Sequence, residues 1–225
     1  MNIRWLGHSC FELTEGDDRV LIDPFLNGNP KAPVGPGDVE PTQILLTHGH
    51  GDHFGDVVEI AKRTGAQVLA IVEIAGELTG AGVEDVVGFN LGGTVSFGGG
   101  WVRLVPAWHT STTPGGTANT PAGLVVGLGG RTVYHLGDTS LFSDLALVSA
   151  RDHIDVALVP IGGFYTMDAQ DAVQAVKLIG PDTVIPCHYQ TFPVLLQDAS
   201  GFKADVEGQT SSKVVLLEPG ESFEA

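Results

Sequence analysis

Cysteine is scarce: Cys10 and Cys187 are the only two in 225 residues. That excludes a disulfide framework and points to a reducing, cytoplasmic setting, although one bridge between the pair stays open. Cations are scarce too. Eleven Lys and Arg stand against 27 Asp and Glu, a formal net charge of −16 at pH 7. Without a basic stripe such a chain repels phosphate backbones, so no nucleic-acid partner is expected. No apolar run reaches the roughly 18 residues of a membrane span. The start, MNIRWLGHSCFEL, lacks the basic-then-apolar pattern of a secretory signal. Low-complexity tracts and obvious linkers are missing as well. What remains reads as a soluble protein, 43% hydrophobic, with one domain across 1–225 and a sizeable core.

Short β-like runs dominate. IRWL (3–6), CFEL (10–13) and RVLID (19–23) read as consecutive strands, ILLT (44–47) as a buried one, and QVLAIV (67–72) as another. Further strands are expected at 83–89, 94–97, 101–106, 124–128, 132–136, 154–160, 183–187 and 213–218. Helices are expected at 54–65, at 73–80 and, most clearly, at 167–180. There Asp168 can cap, Ala172, Val173, Val176 and Ile179 form a stripe, and Gly180-Pro181 ends the run. Two long polar loops, 27–41 and 111–123, are candidates for function. Hairpin-like pairs followed by strands alternating with helices fit two β-sheets packed together with helices outside.

The densest chemistry lies in LLTHGHGDHFGD (45–56). His48, His50, Asp52 and His53 follow an apolar run directly and precede a helix. Gly49 and Gly51 permit tight turns. Imidazole and carboxylate are ligands for Zn2+, with Mn2+ and Fe2+ as alternatives. Crowded together without a metal, these groups suffer desolvation and mutual repulsion. Three more candidates, His109 in VPAWHTS, Asp138 in YHLGDTS and His188 in IPCHYQ, each follow an apolar run and precede a polar segment.

THGHGDH (47–53), His109, LGDT (136–139) and PCH (186–188), in this order, resemble the metallo-β-lactamase superfamily across essentially the whole chain. The resemblance implies an α/β (α+β) fold, a four-layer αββα sandwich, with a metal centre between the sheets. It implies that His48, His50 and His109 hold one divalent cation, that Asp52, His53 and His188 hold a second, and that Asp138 bridges them. Asp52, Asp138 and His188 are the residues expected to carry catalysis, through a hydroxide between the ions. GHSCF (7–11), IDPFLNGNP (22–30) and PIGGFYTM (160–167) are further similar to bacterial and archaeal metal-dependent hydrolases related to L-ascorbate-6-phosphate lactonase. Flavodiiron relatives carry a glutamate where Gly51 stands, and class B β-lactamases a cysteine near Asp138, so redox and antibiotic chemistry are disfavoured.

The implied activity is hydrolysis of a small ester, lactone or phosphodiester. A thioester hydrolase of the glyoxalase II kind and a non-catalytic metal-binding protein of the same fold are the alternatives. The partner is a small molecule, and a homo-oligomer stays open. Substrate contacts are assigned to His8, Phe25, Leu26, Asn119 and Tyr165. His8 reads equally as support for the metals or as a buried, hydrogen-bonded histidine. His135 reads as structural before it reads as metal support, His153 as surface, and Cys10 and Cys187 as core.

Overall fold

The computed structural model describes residues 1–225. Two seven-stranded sheets form. The first contains β1 (Asn2–Trp5), β2 (Phe11–Glu15), β3 (Asp18–Ile22), β4 (Gln43–Leu45), β5 (Gln67–Ile71) and β6 (Val86–Phe89). The second contains β7 (Thr94–Phe97), β8 (Gly100–Pro106), β9 (Ala122–Leu128), β10 (Arg131–His135), β11 (Val156–Pro160), β12 (Thr183–Cys187) and β13 (Lys213–Val214). The last strand, β14 (Ser222–Glu224), returns to the first sheet and pairs antiparallel with β1, so the order there is β14-β1-β2-β3-β4-β5-β6. The second sheet runs β13-β12-β11-β10-β9-β8-β7.

Each sheet is half hairpin and half parallel. β1, β2 and β3 alternate in direction, then β3 to β6 run parallel. β7 to β10 alternate, then β10 to β13 run parallel. One contiguous cluster of 61 buried apolar residues draws on strands of both sheets, so the sheets share a core. Strands buried on both faces explain the near-continuous apolar runs, such as AGLVVGL and VALVP, every residue of which is buried.

Helices α1 (Gly51–Phe54), α2 (Val57–Thr64), α3 (Val72–Gly80), α4 (Leu145–Arg151), α5 (Ala169–Ile179) and α6 (Ser200–Gln209) complete the fold. α5 has the expected caps. Asp168 accepts a hydrogen bond from the Asp171 amide at 2.9 Å, and Gly180 is left-handed at φ 62°. The helix expected over 54–65 does not run unbroken: Phe54 closes α1, and α2 begins at Val57. Gly55 breaks it at φ 40°, and a Cβ there would lie 2.3 Å from the Pro24 carbonyl oxygen. Both the left-handed φ and the backbone clash oppose a side chain, so Gly55→Ala is expected to cost about 2–4 kcal/mol of stability in a denaturant titration. An unchanged midpoint would contradict the close approach.

Candidate metal centre

The topology gathers one end of both sheets. His48 and His50 follow β4, His109 follows β8, Asp138 follows β10 and His188 follows β12. In each case the residue leaves the C-terminal end of a strand, and β8, β10 and β12 point the same way in their sheet. β1 and β3 likewise end together, delivering His8 and Asp23. Four residues other than glycine have positive φ, and three of them are His8 (54°), Asp23 (47°) and His188 (55°). Strained backbone is therefore concentrated at this end of the molecule.

All seven residues of the expected ligand set converge. His48 Nε2 lies 3.2 Å from His50 Nδ1 and 3.8 Å from Asp138 Oδ2. His109 Nε2 lies 3.6 Å from the same oxygen. On the other side His188 Nε2 is 3.1 Å from Asp138 Oδ2, and His53 Nε2 is 3.3 Å from Asp138 Oδ1. Asp52 Oδ2 is 4.0 Å from His188 Nε2. Asp138 thus stands between a His48–His50–His109 group and an Asp52–His53–His188 group. A tetrahedral Zn2+ with bonds of about 2.0–2.1 Å holds its ligand atoms roughly 3.3 Å apart. The separations of 3.1–4.0 Å lie near that spacing, and the imidazole and carboxylate donors suit a divalent cation.

Proton placement supports the same reading. Thr47 donates its hydroxyl proton to Asp23 Oδ2 at 2.6 Å and its amide to Asp23 Oδ1 at 2.8 Å. The Thr47 hydroxyl oxygen therefore accepts from His48 Nδ1, 3.0 Å away. His53 Nδ1 donates to Asp23 Oδ2 at 2.7 Å. One buried carboxylate thus fixes two imidazoles with their Nε2 atoms turned to the centre. There His53 Nε2, Asp138 Oδ1 and His188 Nε2 are buried without hydrogen-bond partners. Buried polar atoms gathered without hydrogen-bond partners are the kind of group that a bound cation satisfies.

The ionisation of the groups follows. Burial opposes charge on Asp138, yet His188 and His53 hold its carboxyl well below the usual range. Burial likewise opposes charge on His53, and Asp138 and Asp23 outweigh it, raising its pKa. Burial, reinforced by His53, lowers His48, and burial lowers His109, so both are neutral ligands at pH 7.

His8 is wholly buried. Its Nε2 lies 3.1 Å from Asp52 Oδ2, its Nδ1 lies 3.0 Å from Thr191 Oγ1, and its ring sits 3.9 Å from that of His188. It braces Asp52 rather than lining a cleft. Burial and then His188 push its pKa down to about 4. Among the other expected substrate contacts, Tyr165 lines the cleft above the centre. Phe25 packs edge-on against His8, Leu26 is buried, and Asn119 packs beside Gly49, where a Cβ would come within 2.6 Å of its Nδ2. Leu26 also donates its amide to Asp56, as Asn27 does.

His135 accepts the Gly137 amide on Nδ1, leaving Nε2 to donate to the Ser9 carbonyl at 3.0 Å. This fixes the turn that delivers Asp138 next to the segment that delivers His8. Cys10 and Cys187 are free and buried, with thiol pKa values pushed up by burial. His153 is exposed and bonds Asp182 at 2.9 Å.

Sequence reading assigned no role to Asp23, Thr47, Thr191 or the Phe192–Val194 wall of the cleft. A carboxylate directly after an apolar strand and before proline, as in LIDPF, was the available signal for Asp23. Nothing in TFPV marks a cleft wall.

The profile of the beta-lactamase superfamily domain matches residues 2–188, and the chain belongs to that superfamily. Within it, full-length similarity joins the chain to the UPF0173 metal-dependent hydrolases. The protein of that name from Methanopyrus kandleri is 49% identical over 232 residues, covering all of both chains. One from Thermus thermophilus is 47% identical over 227 residues, covering 98% of this chain and 97% of the relative. Among solved structures, Igni18, a metallo hydrolase from Ignicoccus hospitalis, superposes with a TM-score of 0.91 at 36% identity, covering 100% of this chain and 98% of that one.

Proposed function

We propose that this metal-dependent hydrolase works with two divalent cations, Zn2+ first and Mn2+ or Fe2+ as alternatives, on a small ester, lactone or phosphodiester. His48, His50 and His109 hold one ion, Asp52, His53 and His188 the other, and Asp138 bridges. The observation that carries this reading is the trio of buried, unpartnered ligand atoms on His53, Asp138 and His188, turned toward one another. The names of the full-length relatives support the same class.

Two divalent cations held by these residues would supply water activation near neutral pH and polarisation of the scissile bond. The chain's own residues do the rest. Asp138, almost fully buried, keeps the two ligand groups in register. Asp52 is the accessible carboxylate, its side chain 30% exposed against 3% for Asp138. It lies with His50 and His109 in the lining of the cleft, where a substrate must arrive. Ligand ionisation needs no base, because burial keeps His48 and His109 neutral.

Chelation tests the reading. Removing metal should abolish hydrolysis of a panel of esters, lactones, phosphodiesters and thioesters, and two equivalents of Zn2+, Mn2+ or Fe2+ per chain should restore it. A fully metallated protein inert to every class would favour a non-catalytic role. His8→Ala provides a finer check. Outer partners of metal ligands are worth about 10–100-fold in affinity. Competitive chelator titration should show that loss for the ion held by Asp52, with the His48–His50–His109 ion retained. Equal affinities in the variant and the parent would remove His8 from the account.

A further inference from the structure

The cleft above the metal centre has a volume of about 580 Å³. His50, Asp52 and His109 line it, with Thr110 next in the chain. Tyr165, Phe192, Pro193 and Val194 make up the remainder of the lining. Tyr165 and Val194 are more than half exposed, as is Phe164, which packs edge to face on Tyr165 with ring centroids 4.8 Å apart. Trp108, next to His109 in the chain, is 67% exposed. Large apolar side chains left open beside a site mark a surface that something apolar covers.

Equally informative is what the wall lacks. No Lys or Arg lines the cleft. Several basic residues are committed elsewhere: Arg63 to Glu40, Arg103 to Asp152, Arg131 to Asp155, Lys177 to Gln209, Lys203 to Glu207 and Arg4 to the Gly220 carbonyl. Charged substrate handles such as phosphate, carboxylate or a nucleotide tail are normally met by Arg, Lys or a helix N-terminus. Even with two divalent cations bound, a chain with a formal charge of −16 stays net negative and repels incoming anions at long range.

We infer that the substrate is a neutral carboxylic ester or lactone with an apolar arm that lies along Tyr165, Phe192, Pro193 and Val194 and carries no charged group. This narrows the proposed hydrolase reading and rests on it. The chemistry balances with water alone. The water oxygen bonds to the acyl carbon, the acyl–oxygen bond breaks, one water proton goes to the departing alkoxide oxygen, and a carboxylate and a proton leave.

Binding tests this apart from turnover. Straight-chain hydroxamic acids from acetyl to octanoyl, which chelate metal through one end, are titrated calorimetrically into the Zn2+-loaded protein. Affinity should rise by about fourfold for each methylene that reaches the wall. An ω-carboxylate at the chain end should weaken binding by at least about tenfold relative to the methyl-ended probe, because the apolar wall offers the charge no partner. Val194→Asp should flatten the chain-length slope. In turnover, kcat/KM for p-nitrophenyl octanoate should exceed that for the acetate and for bis(p-nitrophenyl) phosphate. A flat slope, or preference for the carboxylated probe, overturns the inference while leaving the hydrolase reading intact if esters are still cleaved. Failure of every hydroxamate to bind a protein carrying two ions, together with no turnover, overturns both.

Discussion

Asp138→Ala should reduce kcat/KM by about 10³-fold or more, roughly 4 kcal/mol of transition-state stabilisation, while the far-UV spectrum stays that of the parent. The reason is position. Asp138 is the one carboxylate that faces both histidine groups, within 3.1–3.8 Å of His48, His53, His109 and His188. Removing it would deprive the two proposed cations of their shared anionic ligand and leave His53 facing only Asp23. The variant should bind at most one equivalent of metal tightly. Metal content by mass spectrometry and steady-state kinetics check the two halves separately. Full turnover with two ions bound would show that Asp138 bridges nothing.

Asp23→Ala should be nearly as damaging, by a different route. Asp23 never faces the centre, yet it accepts from the Thr47 amide, the Thr47 hydroxyl and His53 Nδ1. Truncation leaves three buried donors without an acceptor and is expected to cost about 3–5 kcal/mol of stability. Asp23→Asn separates positioning from folding. It keeps the shape and one acceptor oxygen, but it cannot accept all three protons. This variant should fold and yet bind the His53-side ion about 10–100-fold more weakly. The stability difference has a definite pH dependence in metal-free protein. Burial works against the Asp23 carboxylate, but His53 wins and holds its pKa below the ordinary value. A depressed carboxylate contributes stability above its unfolded pKa of about 3.9, and that contribution disappears as pH falls through the native value. The gap between parent and Asp23→Asn should therefore close on acidification below about pH 4. A gap independent of pH would mean that the carboxylate's charge plays no part.

Much of the candidate site was legible in the sequence. H-x-H-x-D-H after an apolar run is a local pattern, and local patterns survive folding. The isolated His109, Asp138 and His188 were legible because each follows a strand-like run and so leaves the same rim. α5 was equally plain, since Asp168, a clean apolar stripe and Gly180 all agree. The losses have physical causes. α6 contains Gly201 and Gly208 and buries only Phe202 and Val206, so its helical period is faint. α4 buries only Leu145 and Val148. β14 is three residues long and exists because β1 offers an edge, which no local pattern announces. The strand expected over 213–218 stops at Val214, where pairing with β12 ends. The late start of α2 depends on Pro24, about thirty residues from Gly55 in sequence and against it in space. Asp23 was obscured for the same reason: its role lies in what it touches, Thr47 and His53.

Anomalous diffraction from crystals grown with Zn2+, collected on both sides of the zinc absorption edge, tests the central claim most directly. Two peaks are expected about 3.5–4 Å apart, one among His48, His50 and His109, the other among Asp52, His53 and His188, with Asp138 touching both. Peaks elsewhere on the molecule, or an imidazole cluster that binds no ion at full zinc loading, would contradict it.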